Sequence, residues 1–351
     1  MDISLEKTIP GFKGSEDWLF AHPSAVTNLY NPSVEKICVP ALEIPSKTIE
    51  VRVTSGNTGP RTNGSLKRKL YSQLLRKFRN SSPLNCSGKF IFDARYDTDR
   101  NVAHLIRSAT SVLFVKQILS EHLNEDITVH AVLRQNTSSL AHQVYDTCGI
   151  PVICTDGDIY GEIVVNSKKI QFENLPSTFP ELLNFKFKNY HQNTPERIFI
   201  PRRGNRRLIN NDEVIKFLEK RGFRTIYFED LTISEEWSIA RNVKVAVIVH
   251  GASIEHFRFN RLGLETSKKS DNSFKFIDIF SPAFTLPHSR FIVTATNGQW
   301  CGVRGQITPK ILRDLDFKDN KLNPHSKIVK SPFYVDLSAL EMALDCLDID
   351  A

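Results

Sequence analysis

His250-Gly251-Ala252-Ser253 follows directly on the apolar run Val243-Lys244-Val245-Ala246-Val247-Ile248-Val249. A buried strand that ends in small residues and opens a helix presents unpaired backbone N–H groups and the positive end of a helix dipole. In an open α/β sheet this is where ligands bind. The chemistry suits a diphosphate: Gly251 lets a phosphoryl group approach the main chain, and His250 adds a side-chain donor. An ordinary βα turn, with its histidine satisfied inside the fold, is the alternative reading.

Upstream, Arg202, Arg203, Arg206 and Arg207 lie just beyond another apolar segment, 197–200. A guanidinium holds phosphate oxygens through two parallel hydrogen bonds and stabilises the charge of a departing nucleotide. Arg202, nearest the strand, is the strongest candidate, whereas Arg206 and Arg207 also fit a solvated surface. Asn210 has the chemistry of a helix N-cap. The isolated Asp156-Gly157-Asp158 is a turn signal. The six cysteines form no C-x-x-C pair and no His cluster with ligand spacing, so buried free thiols are expected.

These residues need strands to carry them, and the periodicity supplies two alternating series. The first has strands at 37–42 and 48–53, a strand at 89–93, a helix at 102–123, a strand at 127–133, a helix at 140–148 and a strand at 151–154. A hairpin at 163–165 and 170–172 follows, then a Pro-bearing linker. The second series runs strand 197–200, helix 212–220, strand 225–228, helix 234–241, strand 244–249, helix 253–261, strand 274–279, helix 289–296 and strand 300–303. Short apolar strands separated by helices of about ten residues imply right-handed crossovers and parallel, doubly wound sheets. The expectation is an α/β chain with an N-terminal domain over 1–190 and a C-terminal domain over 191–351, whose last helix, 337–347, packs back across the domains. No G-x-G-x-x-G or G-x-x-x-x-G-K motif is present, which disfavours classical dinucleotide and P-loop sites.

In order and spacing, Arg202, Arg207, Asn210, Gly222-Phe223, Glu235, His250-Gly251-Ala252 and Phe259 resemble glycosyltransferase family 61. The resemblance continues through Phe276-Ile277-Asp278-Ile279, and backward to Asn101-Val102-Ala103-His104, over roughly 89–347. It implies a GT-B-like fold of two Rossmann-like domains facing a cleft, inversion at the anomeric carbon and no required metal or cofactor. The nucleotide diphosphate sugar is then a substrate, held by Arg202, Arg207, Asn210, Glu235, His250, Gly251, Ala252, Ser253, His256 and Asp278, with Asp278 accepting a ribose or sugar hydroxyl. The acceptor is a glycan or a lipid-linked hydroxyl, in keeping with surface polysaccharide synthesis. His104 is the preferred base, with Asp97 and Asp99 as substitutes. The chain departs from the family pattern at Glu236, Ser253, Glu255 and His256. Glu255 would oppose a diphosphate unless Arg202 or another cation neutralises it.

Composition limits the alternatives. Hydrophobic residues at 40% and charged residues at 24% describe a globular protein, not a disordered one. The net charge of +7 is concentrated between Thr54 and Pro83, where seven basic residues meet no acids. Within 61–79 the apolar residues recur at helical spacing. A basic amphipathic helix there would touch an anionic membrane or simply pack on its own domain. Residues 1–10 have no apolar signal core and no apolar run reaches about 18 residues, so the expected place is the cytoplasm, with peripheral contact at the inner membrane face. Two rival classes remain: a catalytically silent sugar-nucleotide-binding or scaffold protein, motivated by Glu236, Glu255 and His256, and a nucleic-acid-binding protein using 61–79. Because the charge sits in one segment, no nucleic acid is expected.

Overall fold

The computed structural model describes residues 2–9, 11–21, 34–58, 83–95, 101–166, 194–262, 273–283, 288–314 and 327–349. In chain order the first elements are β1 (Asp2–Ile9), β2 (Phe12–Lys13), β3 (Asp17–Ala21), β4 (Glu35–Val39), β5 (Glu43–Ile44), β6 (Lys47–Thr58) and β7 (Leu84–Asp93). Then come α1 (Val102–Leu123), β8 (Val129–Leu133), α2 (Ser139–Thr147), β9 (Val152–Cys154), β10 (Ile159–Asn166), β11 (Arg197–Ile200), α3 (Asn211–Glu219) and β12 (Arg224–Thr225). The remainder is α4 (Ile233–Asn242), β13 (Val245–Val249), a 3-10 helix (Ala252–Phe259), β14 (Lys275–Phe280), α5 (His288–Ala295), β15 (Gln299–Arg304), α6 (Pro309–Asp314), α7 (Lys327–Lys330) and α8 (Leu337–Cys346).

The chain is mixed α/β and divides into two compact units, one of residues 1–10 with 46–185 and one of residues 11–45 with 186–351. The first unit carries a six-stranded sheet in the order β1-β6-β10-β7-β8-β9. Neighbours from β10 to β9 are parallel, while β6 and β1 add antiparallel pairs. Helix α1 begins at Asn101, whose side chain accepts from Ala103 N, and ends at Asn124 in the left-handed region that Asn tolerates. An 18-residue window of α1, with mean hydropathy 1.2, is long and apolar enough to cross a membrane, contrary to the expectation that no segment is. Yet 67% of that window is buried inside the protein. The Tyr145 hydroxyl donates to Ser108 Oγ at 2.9 Å and joins α2 to α1.

In the second unit the sheet order is β12-β11-β13-β14-β15-β3-β4, parallel throughout except for the antiparallel edge strand β4. Its strands are apolar on both faces because helices cover both. Val245, Val247 and Val249 share a core with Val214 and Leu218 of α3 and Leu340 and Leu344 of α8. Ala246 and Ile248 alternate to the opposite core, with Ile239 of α4, Ile254 of the 3-10 helix and Ile292 of α5.

Several expectations are corrected. Residues 11–45, read above as part of the N-terminal domain, belong to the second unit, where β3 pairs with β15. Helix α8, expected to pack back across the domains, packs on β3 and β15 of the second unit. The first arm of the expected hairpin is the end of β10, while 170–172 lies outside the described residues. Strand 225–228 shrinks to β12 followed by a 3-10 turn at Phe228–Asp230. The free cysteines are not all buried: Cys38 is exposed, and Cys154 and Cys346 are half-buried.

Candidate functional site

The carboxyl ends of β11, β13, β14 and β15 bring four polar side chains toward one edge of the second sheet. Parallel pairing sets Ile248 beside Asp278 and Val249 beside Ile279, and His250 N continues the ladder to Ile279 O at 2.9 Å. This register places His250 Nδ1 2.8 Å from Asp278 Oδ2. Both side chains are buried, Asp278 completely. The Phe280 ring packs 4.8 Å from the imidazole and fixes its plane. With Nδ1 turned to the carboxylate, Nε2 is the ring's remaining polar atom, the arrangement used when a histidine is oriented by an acid. Asp278 Oδ1 has no hydrogen-bond partner among the described residues.

Arg202, two residues beyond β11, lays its guanidinium over the following turn, and Nη1 donates to His250 O at 2.9 Å. This approach requires glycine at 251, since a Cβ there would lie 2.0 Å from Arg202 Nη1. Burial lowers the pKa of Arg202, opposed by the attraction of Glu229. Arg206 comes from the same loop but turns through a left-handed backbone, φ 62°, unusual for a side chain with a Cβ. Its pKa is lowered to about 10, first by burial and then by repulsion from Arg202, with Asp278 pulling the other way. At the end of β15, Arg304 Nη2 donates to Pro282 O at 2.9 Å, and burial lowers its pKa as well. Three partly desolvated guanidiniums at strand ends make a place where negative charge is favoured.

The turn itself is a 3-10 start, not the expected α-helix over 253–261. Its first backbone bond runs from Ile254 N to Gly251 O at 3.4 Å, so the N–H groups of Gly251, Ala252 and Ser253 precede any intrahelical partner. Three amides stand there.

Other expected ligands have structural jobs. Asn210 donates from Nδ2 to Val335 O at 2.8 Å and accepts from Val335 N at 3.2 Å, and it makes no side-chain cap bond. Glu235 closes a capping box on α4 with Thr232. His256 is fully buried 2.5 Å from Glu236 Oε2, edge-on to Phe228 and Trp237, too deep to meet a ligand. Arg207 is exposed and contributes its carbonyl to Phe333 N, while Arg206, read as solvated, is the arginine turned inward. Glu255 is neutralised, though not by Arg202: Arg258 Nε donates to it at 2.8 Å, and His288 Nε2 lies 2.5 Å away. His104 is exposed on the first turn of α1, in the first unit. Asp97, Asp99 and the basic segment 61–79 lie outside the described residues. Arg304 was missed because nothing in Trp300-Cys301-Gly302-Val303-Arg304 marks the last residue of the strand as facing a site.

A parallel sheet edge lined by arginines, an acid-paired histidine and a glycine turn can hold a diphosphate ester and counter its charge. No individual curated protein matches the chain. The sequence pattern of Glycosyltransferase 61 matches residues 37–263, well over half of the 351 residues, and spans β6 to β10 of the first sheet and the His250 turn. The family has sugar donors and acceptors as substrates, and the chain belongs to it: this is a member of glycosyltransferase family 61.

Proposed function

We propose that the second unit binds a nucleoside diphosphate sugar at the carboxyl ends of β11, β13 and β14, and that the protein transfers the sugar to a hydroxyl acceptor with inversion. The observation that carries this reading is Arg202 laid over the turn at Gly251 beside the buried pair of His250 and Asp278, with Arg206 of the same loop close enough for the two guanidiniums to repel. An anion set between two guanidiniums offsets their mutual repulsion. In the reaction the acceptor oxygen attacks the anomeric carbon as the bond to the diphosphate oxygen breaks. The diphosphate leaves with the electron pair, and a base takes the acceptor proton. Arg202, Arg206 and the amides of Gly251, Ala252 and Ser253 meet the developing charge. His250, held by Asp278, donates from Nε2 when doubly protonated. The base in this reading is His104, with Asp97 and Asp99 as substitutes.

Guanidinium charge serves here where another enzyme would use a divalent cation, so turnover should persist in a chelator. The acceptor is a glycan or lipid-linked hydroxyl of a surface polysaccharide, and the basic segment 61–79 is proposed to bring the protein to an anionic membrane from the cytoplasm. A thermal-shift panel of UDP, GDP, CMP and their sugars identifies the donor, because a ligand of the native state raises its melting temperature. Calorimetry then tests the site. Arg202→Ala should weaken binding about tenfold or more, the worth of a charge-assisted hydrogen bond. His104→Gln should lower turnover at unchanged donor affinity. Equal affinity in Arg202→Ala would remove the phosphate assignment, and binding without turnover in the unaltered protein would favour a silent sugar-nucleotide-binding protein.

A further inference from the structure

A short parallel ribbon begins at Arg206. Leu208 bridges Phe333, and backbone bonds run from Arg206 N to Lys330 O (2.9 Å), Phe333 N to Arg207 O (3.1 Å) and Ile209 N to Phe333 O (2.8 Å). Gln306 N reaches Tyr334 O at 2.8 Å, and the Asn210 amide grips both polar backbone atoms of Val335. The ribbon is therefore fixed at every step from 206 to 210. The two residues of the bridge, Leu208 and Phe333, point inward, at 3% and 1% exposure. Their chain neighbours Ile209 and Tyr334 point outward, 50% and 41% exposed, although nothing in the core requires an aromatic or a branched aliphatic there.

We propose that Tyr334 and Ile209 form the platform for the base of a nucleoside diphosphate whose phosphates reach Arg206 and Arg202. The proposal rests on the donor reading above. A nucleobase offers a flat π-face that an exposed aromatic can stack against, and a platform already held by its backbone loses little entropy on binding. Charge is graded along the ribbon in the matching sense. Arg206 stands at one end, and Ile209 follows three residues later, at most about 10 Å away by the reach of the chain. That span is of the order of a ribose and its linking phosphate. Asn210, expected to touch the donor, acts in this picture as a positioning residue, through its grip on the strand that carries Tyr334.

The test is calorimetry on the full chain with UDP, GDP, CDP and, as a ligand without a base, pyrophosphate. Tyr334→Ala should weaken the nucleoside diphosphate that the natural chain binds by about tenfold, Tyr334→Phe should keep nearly full affinity, and pyrophosphate should behave alike in all three proteins. Unchanged nucleotide affinity in Tyr334→Ala, alongside weakened binding in Arg202→Ala, overturns the platform and leaves the donor site standing. If no nucleoside diphosphate binds the natural chain, or Arg202→Ala binds it equally well, the donor reading falls and takes the platform with it. Should Tyr334→Ala lose its cooperative melt, Ile209→Ser gives the same readout from the other half of the platform: weaker nucleotide at constant pyrophosphate supports it, and no change overturns it.

Discussion

A methyl group at position 251 would collide with the end of a flexible side chain, whereas one at position 305 would collide with a ring. The added Cβ at Gly251 lies 2.0 Å from Arg202 Nη1, and the one at Gly305 lies 2.3 Å from Phe333 Cδ2 and 2.9 Å from Pro282 Cδ. An arginine can swing away; a packed phenylalanine at 1% exposure cannot. Gly251→Ala should therefore keep a melting transition close to that of the natural chain while displacing the guanidinium from His250 O. Its nucleotide affinity should fall as far as that of Arg202→Ala, with the double variant no worse than either, the non-additivity expected of residues that act as one unit. Gly305→Ala should instead cost about 1–3 kcal/mol of stability, the usual penalty for overpacking a tight core. Calorimetry and urea melts on the variants separate these outcomes. The His250-Gly251 turn and Arg202 were legible in the sequence because both follow apolar strands directly. The bond between His250 and Asp278 was not, since it depends on the register of two strands whose residues lie 28 apart. Nor was Arg206, whose inward turn comes from a left-handed backbone that no residue type announces.

At the level of elements, spacing located α1, α3, α4 and β11 to within a residue or so, because caps and apolar periodicity act locally. Where it failed, a distant partner decided. Ile3, Leu5 and Ile9 alternate along β1, but only pairing with β6 turns that alternation into a strand. Helix α8 is amphipathic in any setting, and its docking on β15 is what brings Cys346 to Cys301. The hydrogen bond from Cys301 is the largest cause that lowers the Cys346 pKa, to about 7, with burial opposing and Lys36 assisting. The same contact, with burial, pushes the Cys301 thiol up. Cys346 should thus be half thiolate near neutrality, and its alkylation by iodoacetamide should rise as pH passes upward through about 7 and slow below it. Cys148, which burial pushes up, should stay unlabelled in the folded chain. Removing the donor with Cys301→Ala should shift the Cys346 labelling curve to higher pH. Peptide mass mapping between pH 6 and 9 checks this, and an unshifted curve would show that α8 does not hold the two sulfurs together.

For the whole molecule, chain order and spatial order differ. Residues 11–45 leave the first unit between β1 and β6 and lend β3 and β4 to the second sheet. Linker composition near 190 marked one boundary but could not reveal this exchange, since Trp18 pairs with Cys301 across nearly the whole chain and leaves no local pattern. The exchange is secured by more than backbone. Arg290 of α5 donates to Asp17 Oδ2 at 2.6 Å and to Pro40 O at 2.6 Å, both partners coming from the lent segment, and Phe20 is buried in the core that holds Val303 and α8. Arg290 and Asp17 are both buried, so removing one leaves the other charge without compensation, which costs about 3–5 kcal/mol. That is a large part of the roughly 5–15 kcal/mol by which a domain is stable. A fragment of 186–351 should therefore lack a cooperative melt, because it exposes the β15 edge and strands Arg290 at once. Joining 11–45 to the same fragment through a flexible linker should restore a single transition, and Asp17→Ala within that joined protein should lower it again. A cooperative melt of 186–351 alone would mean that the lent strands decorate the second unit and do not complete it.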